Sequence, residues 1–499
     1  VQQQSETSFA GDSVTFSALV QSDAGAPEGF VEFFDGGSSI GGAWLDEGHA
    51  SLSTSLLTFG PHSITATFTS SNSSFDGSTA FPVSHLVRSR VDAAVASSGS
   101  PTVAGESVTF TATLSAVAPG SGTPDGSVTF LDGSTSLGTV ALSGGVATLT
   151  TSALAAGSHS ISVSYAGTTD FGAATSPAIT QVVNKADTTT TLGSSVNPSV
   201  FGQQVTFTAT VAPVAPATGT PTGTVTFLDG ATPLGTVTLS SGQATLDISS
   251  LSAASHSVSS VYNGDTNHNG STSSAVAQVV NAANTATTVT SSVDPSIFGQ
   301  QVTFTATVSA QSPASGTPTG QITFMTGATN LGTITLDSAG QAVVTVSSLS
   351  VGGSSVNATY GGDSNFSSSF GSHEQTVNKA GATVALNSSQ NPSTLGDPVT
   401  FSATVSATAP GDGTPSGNIE LVLDGTSVET VALDGSGNAT FSSVAPAVGS
   451  HSVLARYAGS PSFNTGDSAT LTQVVDKALT SIKLGSSPNP SNLGDTVTL

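Results

Sequence analysis

The stretch that decides the fold is Gly202-Gln203-Gln204-Val205-Thr206-Phe207, because its pattern Gly-x-x-Val-Thr-Phe recurs along the whole chain. Successive copies begin 94 to 98 residues apart. The other copies occupy residues 11–16, 105–110, 299–304 and 396–401, and a sixth copy, which ends at Leu499, occupies residues 494–499. A period of this length is the size of a whole domain, so the sequence predicts a tandem array of small independent folds.

The period predicts five complete or nearly complete domains and the start of a sixth. A typical repeat spans 97 residues, enough to bury one sandwich-sized core. The expected domains are residues 1–88 (divergent, first strand truncated), 89–185, 186–282, 283–379, 380–477 and 478–499 (truncated). Val1 aligns with Leu192 inside a predicted strand, and the sixth copy stops at Leu499. We therefore expect the sequence to be a segment of a longer protein.

The motif itself lies on a strand. Over residues 204–211 small and large apolar side chains alternate with threonines, and this period of two is typical of a half-buried strand. The side chains predicted to face the core are Val205, Phe207, Ala209 and Val211.

The rest of the third repeat divides into similar short pieces. Further strands are predicted at residues 188–192, 224–228, 235–239, 243–248, 256–262 and 274–280. Asn197-Pro198 breaks the first strand, and Asp229-Gly230 predicts a tight turn. No segment keeps a helical period. The sequence therefore predicts an all-β fold, a tandem array of immunoglobulin-like antiparallel β-sandwich domains with about seven strands each.

The domains are joined without flexible tracts. Residues 181–186 lead from the last strand of one repeat into the first strand of the next, and residues 278–283, 375–380 and 473–478 do the same. Gly/Ser-rich segments are missing at these points, so we expect limited swing between domains. Strands of about eight residues make each domain ~25–30 Å tall, which predicts a rod of order 150–200 Å.

Composition excludes several classes of partner. The chain has 31 acidic and 7 basic residues, a net charge of −24, so neither nucleic acid nor an anionic membrane surface is an expected partner. No apolar run approaches the ~20 residues of a membrane helix, so no membrane insertion is expected in this segment. The chain has no cysteine, which excludes disulfides and thiolate metal sites. Abundant Ser, Thr and Gly with few Lys and Arg is typical of an exported bacterial surface protein.

Two sets of large or titratable side chains recur at fixed repeat positions. Tyr165, Tyr262, Tyr360 and Tyr457 share one position with Phe68, and we interpret them as core residues. His62, His159, His256 and His451 share another position, for which the fourth repeat is predicted to carry Ser355. A recurrent histidine is a candidate ligand. We favour a strand-entry residue bonded to its own loop, because no second ligand recurs at metal spacing beside it.

Aspartates of the loops are further candidate metal ligands. Asp265 and Asp363 follow glycine in a loop after the tyrosine strand, and three more aspartates precede glycine in a hairpin. Calcium at domain ends is one interpretation, and turn chemistry alone is the favoured one. The hairpin residues are Asp132, Asp229 and Asp424, which Thr326 replaces in the fourth repeat.

No pattern of an enzyme stands out. The chain lacks a Gly-x-Ser-x-Gly elbow and a paired-carboxylate cleft pattern, so no catalytic residue and no cofactor are predicted. Lys185, Lys379 and Lys477 lie at the junctions, and we interpret them as exposed.

The first repeat differs from the others in its aromatic residues. It holds the single tryptophan, Trp44, and the adjacent pair Phe33 and Phe34, of which strand alternation can bury only one. These three residues are candidate contacts for a glycan or a neighbouring chain. The alternative is a divergent core at the edge of the array.

Several stretches together carry a resemblance to a known family. They are Asn197-Pro198-Ser199, residues 202–211, Thr-Pro-Thr-Gly at 220–223, Val-Thr-Phe-Leu-Asp-Gly at 225–230, and Tyr-Gly-Gly-Asp-Ser-Asn-Phe at 360–366. They resemble the group 3 bacterial Ig-like repeats of large surface and secreted proteins. The resemblance implies stalks, adhesin shafts and extracellular fibres, and it brings no catalytic residues.

The leading hypothesis is therefore a non-enzymatic structural protein, a rod-like segment of a bacterial extracellular filament or cell-surface adhesin stalk. Its expected partners are copies of itself or neighbouring Ig-like domains, through edge strands and proline-bearing loops predicted to project from one end of each domain. These loops are residues 116–126, 214–223, 312–320 and 408–417. The alternative is a multivalent array that binds surface glycans or calcium.

Overall fold

The structure is a computed structural model that describes residues 2–3, 6–442, 444–485, 487 and 490–498. Val1 and Leu499, the ends of the predicted first and sixth domains, lie outside the described residues. The chain forms two compact units. The first comprises Val1–Ser195, Thr206–Asp247 and His256–Ala277, and the second comprises Val196–Val205, Ile248–Ser255 and Gln278–Leu499.

All regular elements of the described residues are β-strands, as the sequence predicts. The first domain contains β1 Gln2–Gln3, β2 Thr7–Phe9, β3 Val14–Leu19, β4 Gly29–Asp35, β5 Ser38–Trp44, β6 His49–Thr54, β7 Gly60–Ser70, β8 Ser78–Thr79 and β9 Val83–Arg88. The second contains β10 Val91–Ser97, β11 Thr102–Val103, β12 Val108–Ala116, β13 Ser127–Asp132, β14 Thr135–Ala141, β15 Val146–Thr151, β16 Gly157–Tyr165, β17 Ala174–Thr175 and β18 Ile179–Asn184.

The strands of the third domain are β19 Thr188–Ser194, β20 Ser199–Val200, β21 Val205–Pro213, β22 Thr224–Asp229, β23 Thr232–Thr238, β24 Gln243–Ile248, β25 Ser255–Tyr262, β26 Ser271–Thr272 and β27 Val276–Asn281. Those of the fourth are β28 Thr285–Ser291, β29 Ser296–Ile297, β30 Val302–Ala310, β31 Gln321–Thr326, β32 Thr329–Thr335, β33 Gln341–Val346, β34 Gly352–Tyr360 and β35 Ser369–Asn378. Those of the fifth are β36 Gly381–Ser388, β37 Ser393–Thr394, β38 Phe401–Thr408, β39 Asn418–Leu423, β40 Thr426–Ala432, β41 Asn438–Thr440, β42 Gly449–Tyr457, β43 Gly466–Asp467 and β44 Leu471–Asp476.

Within the first unit, the second domain shows the sheet order most clearly. One sheet has the order β10-β12-β15, and the other has the order β11-β18-β16-β13-β14 with β17 added to β16. The first domain repeats this arrangement with β1-β3-β6 and β2-β9-β7-β4-β5. Neighbouring strands are antiparallel except that β11 and β2 run parallel to the last strands of their domains.

Within the second unit, the fourth and fifth domains have the same order. The sheets are β28-β30-β33 with β29-β35-β34-β31-β32, and β36-β38-β41 with β37-β44-β42-β39-β40. The boundary between the two units passes through the third domain. In the first unit β22 pairs with β23 and β25, and in the second unit β20 pairs in parallel with β27.

The two-residue strands were not predicted from the sequence. For β11, the proline just before the strand explains why it belongs to a different sheet from β10. In the second domain β10 belongs to the three-stranded sheet, whereas β11, just after Pro101, belongs to the other sheet. Proline has no N–H to donate to a ladder, so the first strand stops there and the chain changes sheet.

The predicted core is confirmed. Val205, Phe207, Ala209 and Val211 are buried, and the motif phenylalanine is fully buried in all five domains. Tyr165, Tyr262, Tyr360 and Tyr457 are buried as well. Alternation was sufficient here because a strand with one face on the core must bury every second side chain.

The Asp229-Gly230 turn is also confirmed, although the strand after it begins earlier than predicted. The register shifts between Phe227 and Leu228, so that Asp229 pairs with Thr232 across the turn. Such a bulge moves the hairpin closure forward without changing which side chains face the core.

Candidate functional site at the domain joints

The glycine of the recurring motif contacts the next domain. Gly105, Gly202 and Gly299 have φ of +80°, +77° and +79°, which side chains other than glycine rarely adopt. A Cβ on Gly105 would lie 2.1 Å from the Thr218 carbonyl oxygen, and on Gly202 it would lie 2.1 Å from that of Ser315. The positive φ is one reason for glycine at this position. The structure adds a second reason, the close approach of backbone from the following domain.

The proline-bearing loops supply that backbone. Thr218 Oγ1 donates to the Gly105 carbonyl oxygen at 2.6 Å, and Ser315 Oγ donates to that of Gly202 at 2.6 Å. These loops were predicted to project from one end of each domain as contacts for neighbouring Ig-like domains, and those of the third and fourth domains contact the preceding domain of this chain. Each of them packs on the preceding domain, since its glycines and small residues let two backbones meet.

Aromatic residues pair across three of the joints. The ring centroids of Phe59 and Phe171 lie 5.7 Å apart, those of Phe201 and Phe366 lie 5.2 Å apart, and those of Phe298 and Phe463 lie 5.6 Å apart. Such tilted and edge-on pairs contribute about 0.5–1.5 kcal/mol beyond the area that they bury. The positions of the Phe201–Phe366 and Phe298–Phe463 pairs are occupied between the second and third domains by Ala104 and His268, which are both buried.

The short segment between domains also pairs with the next domain. Ala186 donates its N–H to the Asn267 carbonyl at 2.8 Å and accepts from the Asn269 N–H at 2.8 Å. The side-chain oxygen of Asn267 accepts from the N–H of Ala156 in the preceding domain at 2.9 Å. Only three residues separate the end of β18 from the start of β19. The predicted direct passage between strands is confirmed at this joint.

The junction lysines are exposed, as predicted, and two of them are hydrogen-bonded. Lys185 Nζ donates to the Asp265 carbonyl at 2.5 Å, and Lys379 Nζ donates to that of Ser460 at 2.7 Å. Lys185 and Lys379 thus each contact a loop of the following domain.

The calcium candidates Asp265 and Asp363 order these loops. Oδ2 of Asp265 accepts from the Thr222 N–H and hydroxyl at 2.8 and 2.7 Å, and Oδ1 accepts from the N–H groups of Asn267 and His268 at 2.8 and 2.7 Å. Burial raises the pKa of Asp265, but these hydrogen bonds outweigh it and hold the pKa well below its usual range.

Asp363 repeats the pattern with Thr319, Asn365 and Phe366 as donors, and its pKa is also lowered. A calcium ion at either carboxylate would have to displace these donors. The residues that the structure describes contain no group of three or more His, Cys, Asp or Glu side chains that could hold a metal ion.

The recurrent histidines and hairpin aspartates, treated separately in the sequence, form pairs. Nδ1 lies 2.7 Å from the aspartate oxygen in His62–Asp35, His159–Asp132 and His256–Asp229, and 2.8 Å in His451–Asp424. Nε2 of His159 meets the Ala155 carbonyl at 2.8 Å. Because a carboxylate and a carbonyl both accept hydrogen bonds, this geometry favours the form of the His159 ring in which both nitrogens donate.

The pKa shifts follow from this geometry. Burial lowers the pKa of His159, but the hydrogen bonds to the Ala155 carbonyl and the Asp132 carboxylate outweigh it and place the pKa above 6.5. For His451 the bond to Asp424 is the largest cause of a raised pKa, followed by the bond to the Ala447 carbonyl. The interpretation that the histidine bonds its own loop agrees with these contacts.

The fourth domain lacks both partners of the pair. Thr326 stands at the aspartate position, where it pairs with Val356 as Asp132 pairs with Ile161. The histidine position is Ser354, which lies opposite Gln375, and not Ser355 as predicted. Counting back six residues from the core tyrosine gives the same assignment.

A buried glutamine near the end of the second to fifth domains was missed in the sequence, and the first domain has His85 at this position. Gln375 is fully buried. Its side chain accepts from Ser291 Oγ at 2.7 Å and donates to the Val293 carbonyl at 2.9 Å and to Ser296 Oγ at 3.2 Å. These hydrogen bonds of the Gln375 side chain link β35 to β28, the first strand of the other sheet. Gln181, Gln278 and Gln473 are buried likewise.

The aromatic residues of the first domain separate into core and surface. Phe33 is fully buried in the core, so the prediction of Phe33 as a contact residue is wrong. Phe34 is partly buried, and Trp44 is 69 % exposed. The neighbour of Trp44 across the strands is Phe30, which the sequence pattern did not indicate, with ring centroids 5.4 Å apart.

Comparison with known families agrees with the repeated sandwiches. The profile of the bacterial Ig-like domain (group 3) matches residues 1–88, 95–184, 191–281, 287–378 and 386–476. The chain belongs to the group 3 bacterial Ig-like domain family. Such Ig-like repeats are typical of structural, surface and secreted proteins and are typically non-enzymatic. No helix in the described part of this Ig-like chain is long and apolar enough to span a membrane.

Solved structures add matches at low identity, and no curated protein sequence matches. Fibronectin(III)-like modules of Clostridium thermocellum CbhA are 18 % identical, with 38 % of this chain and 95 % of that chain covered and a TM-score of 0.16. A Salmonella alpha-2-macroglobulin mutant is 10 % identical over 95 % of this chain and 46 % of its own, with a TM-score of 0.16. Native Escherichia coli alpha-2-macroglobulin is 11 % identical over 94 % and 39 %, with a TM-score of 0.18. The chain spans less than half the length of these two macroglobulins.

Proposed function

We propose that this chain is a non-enzymatic, rod-like structural segment of a bacterial extracellular filament or cell-surface adhesin stalk. The observation that carries the proposal is the repeated joint. At this joint the loop backbone of the next domain packs against a motif glycine, as Ser315 packs against Gly202. A segment that transmits tension or holds a distance needs joints with little free chain, and contacts of this kind supply them.

The proposed domain bounds are residues 1–88, 89–185, 186–282, 283–379, 380–477 and 478–499, each starting within the short junction segments. Contacts such as Lys379 to Ser460 and Phe298 to Phe463 support a boundary without a flexible linker between the fourth and fifth domains.

Small-angle scattering and negative-stain electron microscopy of the purified chain test the proposal. We expect an elongated particle of order 150–200 Å, from strand heights of ~25–30 Å per domain. A compact globule would contradict it. Images of single beaded threads would identify a stalk, whereas bundled or helical assemblies would identify a filament built from several chains.

The multivalent calcium-binding alternative has no observation in its favour, because Asp265 and Asp363 already accept hydrogen bonds with both oxygens. Its test is thermal unfolding with excess EGTA or with calcium. A melting temperature that rises with calcium would support the calcium-binding alternative, since a ligand that binds the folded state stabilises that state.

A further inference from the structure

The first domain carries a strip of residues on the outer face of β4 and β5 that the other domains do not share. Its members, called here the aromatic strip, are Phe30, Glu32, Phe34, Ser39, Gly42 and Trp44. Three cross-strand pairs make it up: Phe30 with Trp44, Glu32 with Gly42, and Phe34 with Ser39.

At the Phe30–Trp44 pair the other domains hold small or polar residues, whereas the Phe34 position is Leu131, Leu228, Met325 or Val422. The pair equivalent to Phe30–Trp44 is Ser127–Ala141 in the second domain and Thr224–Thr238 in the third. In the fourth and fifth domains the pairs are Gln321–Thr335 and Asn418–Ala432. Four copies of the fold therefore form without these rings, so stability of the sandwich does not require them.

The neighbouring pair changes together with the aromatic one. Thr129–Thr139 in the second domain joins its hydroxyls at 2.9 Å, and the third and fourth domains have the same pair. In the fifth domain the pair is Glu420–Thr430, and in the first domain it is Glu32–Gly42, so the glycine distinguishes the first domain. The absent Cβ of Gly42 would lie 2.5 Å from the ring of Phe30, so this ring covers the glycine backbone. The Phe30 ring, lying over this glycine, thus makes a shallow floor beside an exposed tryptophan.

The carboxylate at the edge of this floor is held in place. Ser39 Oγ donates to Glu32 Oε1 at 2.6 Å, which leaves the other oxygen to accept from a ligand. On the adjoining strand β7, Thr65, Thr67 and Thr69 pair with the strip residues of β4 and put their hydroxyls on the same face. The face combines one aromatic platform with one carboxylate among hydroxyl groups.

We propose that the aromatic strip binds a neutral polysaccharide. The C–H face of a sugar ring carries partial positive charge and stacks on the negative face of an indole. Sugar hydroxyls both donate and accept, so they match Glu32 and the threonines together. An anionic ligand would meet the Glu32 charge, and a cationic side chain, which only donates, would match the carboxylate but not the hydroxyls.

Polysaccharide binding by the aromatic strip does not depend on the proposed rod-like structural role, because it concerns one face of one domain. It would give the chain a single glycan contact at the first domain, in place of one weak site in every repeat.

Trp44 is the one tryptophan of the chain, so its fluorescence reports on this site alone. The full chain is titrated with cellohexaose, xylohexaose, mannohexaose and chitohexaose at up to millimolar concentration. We expect at least one of them to shift or quench the emission with saturation. No change with any of the four sugars would overturn the proposal.

Three variants locate the site, with affinity measured by calorimetry and folding checked by circular dichroism. Trp44→Ala should weaken binding at least tenfold. Gly42→Thr introduces the residue type of the other domains and places a Cβ 2.5 Å from the Phe30 ring and 2.4 Å from the Val31 carbonyl oxygen, so it should displace the ring and weaken binding at least tenfold. Glu32→Gln should weaken binding several-fold. Unchanged affinity in Trp44→Ala or Gly42→Thr would overturn the proposal.

A matched control moves the tryptophan. The double variant Trp44→Ala, Ala141→Trp has an exposed indole at the equivalent position of the second domain, without the phenylalanine floor and the carboxylate. Its emission should not respond to the sugar that shifts the native chain. An equal response would mean that any exposed tryptophan suffices. A response of the native chain to a lysine-rich peptide but to no sugar, lost at high salt, would identify a cationic partner and reject the polysaccharide.

Discussion

The two ends of the recurring motif face different neighbours. Phe304 is fully buried within its own domain, whereas Gly299, at the start of the same motif, lies under the backbone of Asp412 in the next domain. Six residues therefore serve both the interior of one sandwich and its attachment to another. The strict spacing of the motif reflects both requirements, since a shift of either end would lose the core or the joint.

The largest effect is expected at the core end. Phe304→Ala removes a ring from the centre of the fourth domain and should lower its free energy of unfolding by about 3–5 kcal/mol. Thr305→Ala, which changes the opposite face of β30, should cost within about 0.5 kcal/mol. Hydrogen exchange of the fourth domain in the full chain measures both. Equal costs for the two variants would show that the alternation does not separate core from surface.

The next effect concerns the joint end. Gly299→Ala places a Cβ 2.2 Å from the Asp412 carbonyl oxygen, so the fifth domain must move away. Gly396→Ala is the matched control, because Gly396 also has positive φ, +94°, but no described atom lies within 4 Å of its Cβ. Both should cost about 1–2 kcal/mol for the left-handed conformation.

Only Gly299→Ala should also open the joint, seen as faster exchange at Asp412 and faster proteolysis between the fourth and fifth domains. If the two variants behave alike, the glycine is required for its turn alone and the comparison between the two motif ends fails.

A smaller effect is expected from the glutamine that links the sheets. Gln375→Ala leaves the Ser291 and Ser296 hydroxyls without this partner, but each keeps a backbone acceptor, so the change should cost about 0.5–1.5 kcal/mol. Glu374→Ala changes an exposed neighbour on the same strand and serves as the control. Denaturant unfolding followed by exchange in the fourth domain measures the difference. A cost for Gln375→Ala no larger than the control would exclude a role in stability.

The smallest effect is expected from pH. The folded-state pKa of His159 is raised above 6.5, so the stability from the His159–Asp132 pair is fully present below that value. It is lost as pH rises through the folded pKa. Because the pair is partly exposed, we expect a loss of under about 1 kcal/mol in the second domain. The fourth domain, which has Ser354 and Thr326 instead, should change less.

Exchange rates corrected for intrinsic pH dependence measure this difference. The double variant Thr326→Asp, Ser354→His should give the fourth domain the pH response of the second. A fourth domain that responds equally without this change would mean that the pair does not cause the response.

Much of the fold could be read from the sequence, because the determinants are local. The alternation around Phe207 predicted its strand and its burial, and Asp229-Gly230 predicted the hairpin. Alternation alone could not decide between Phe33 and Phe34, since it assigns them to opposite faces without saying which face is inside. The structure shows that Phe33 is the one that faces the core, where it pairs across the strands with Gly41.

The candidate sites were less accessible, because their partners are distant in sequence. His159 and Asp132 are 27 residues apart, and the same interval recurs in three other domains. That interval was a signal in the sequence that could have paired them. No such signal indicated Phe30 beside Trp44, because cross-strand neighbours depend on the register of β4 and β5.

The sequence by itself determined the repeat, the strands, the inward faces and the absence of disulfides, because these follow from period, alternation and composition. Only the tertiary structure decided what the motif glycine meets. The hydroxyl of Thr218 reaches the Gly105 carbonyl from 113 residues away, and no local preference encodes that contact. The physical reason is that a strand's burial depends on its own side chains, whereas a joint depends on two surfaces that the folded domains bring together.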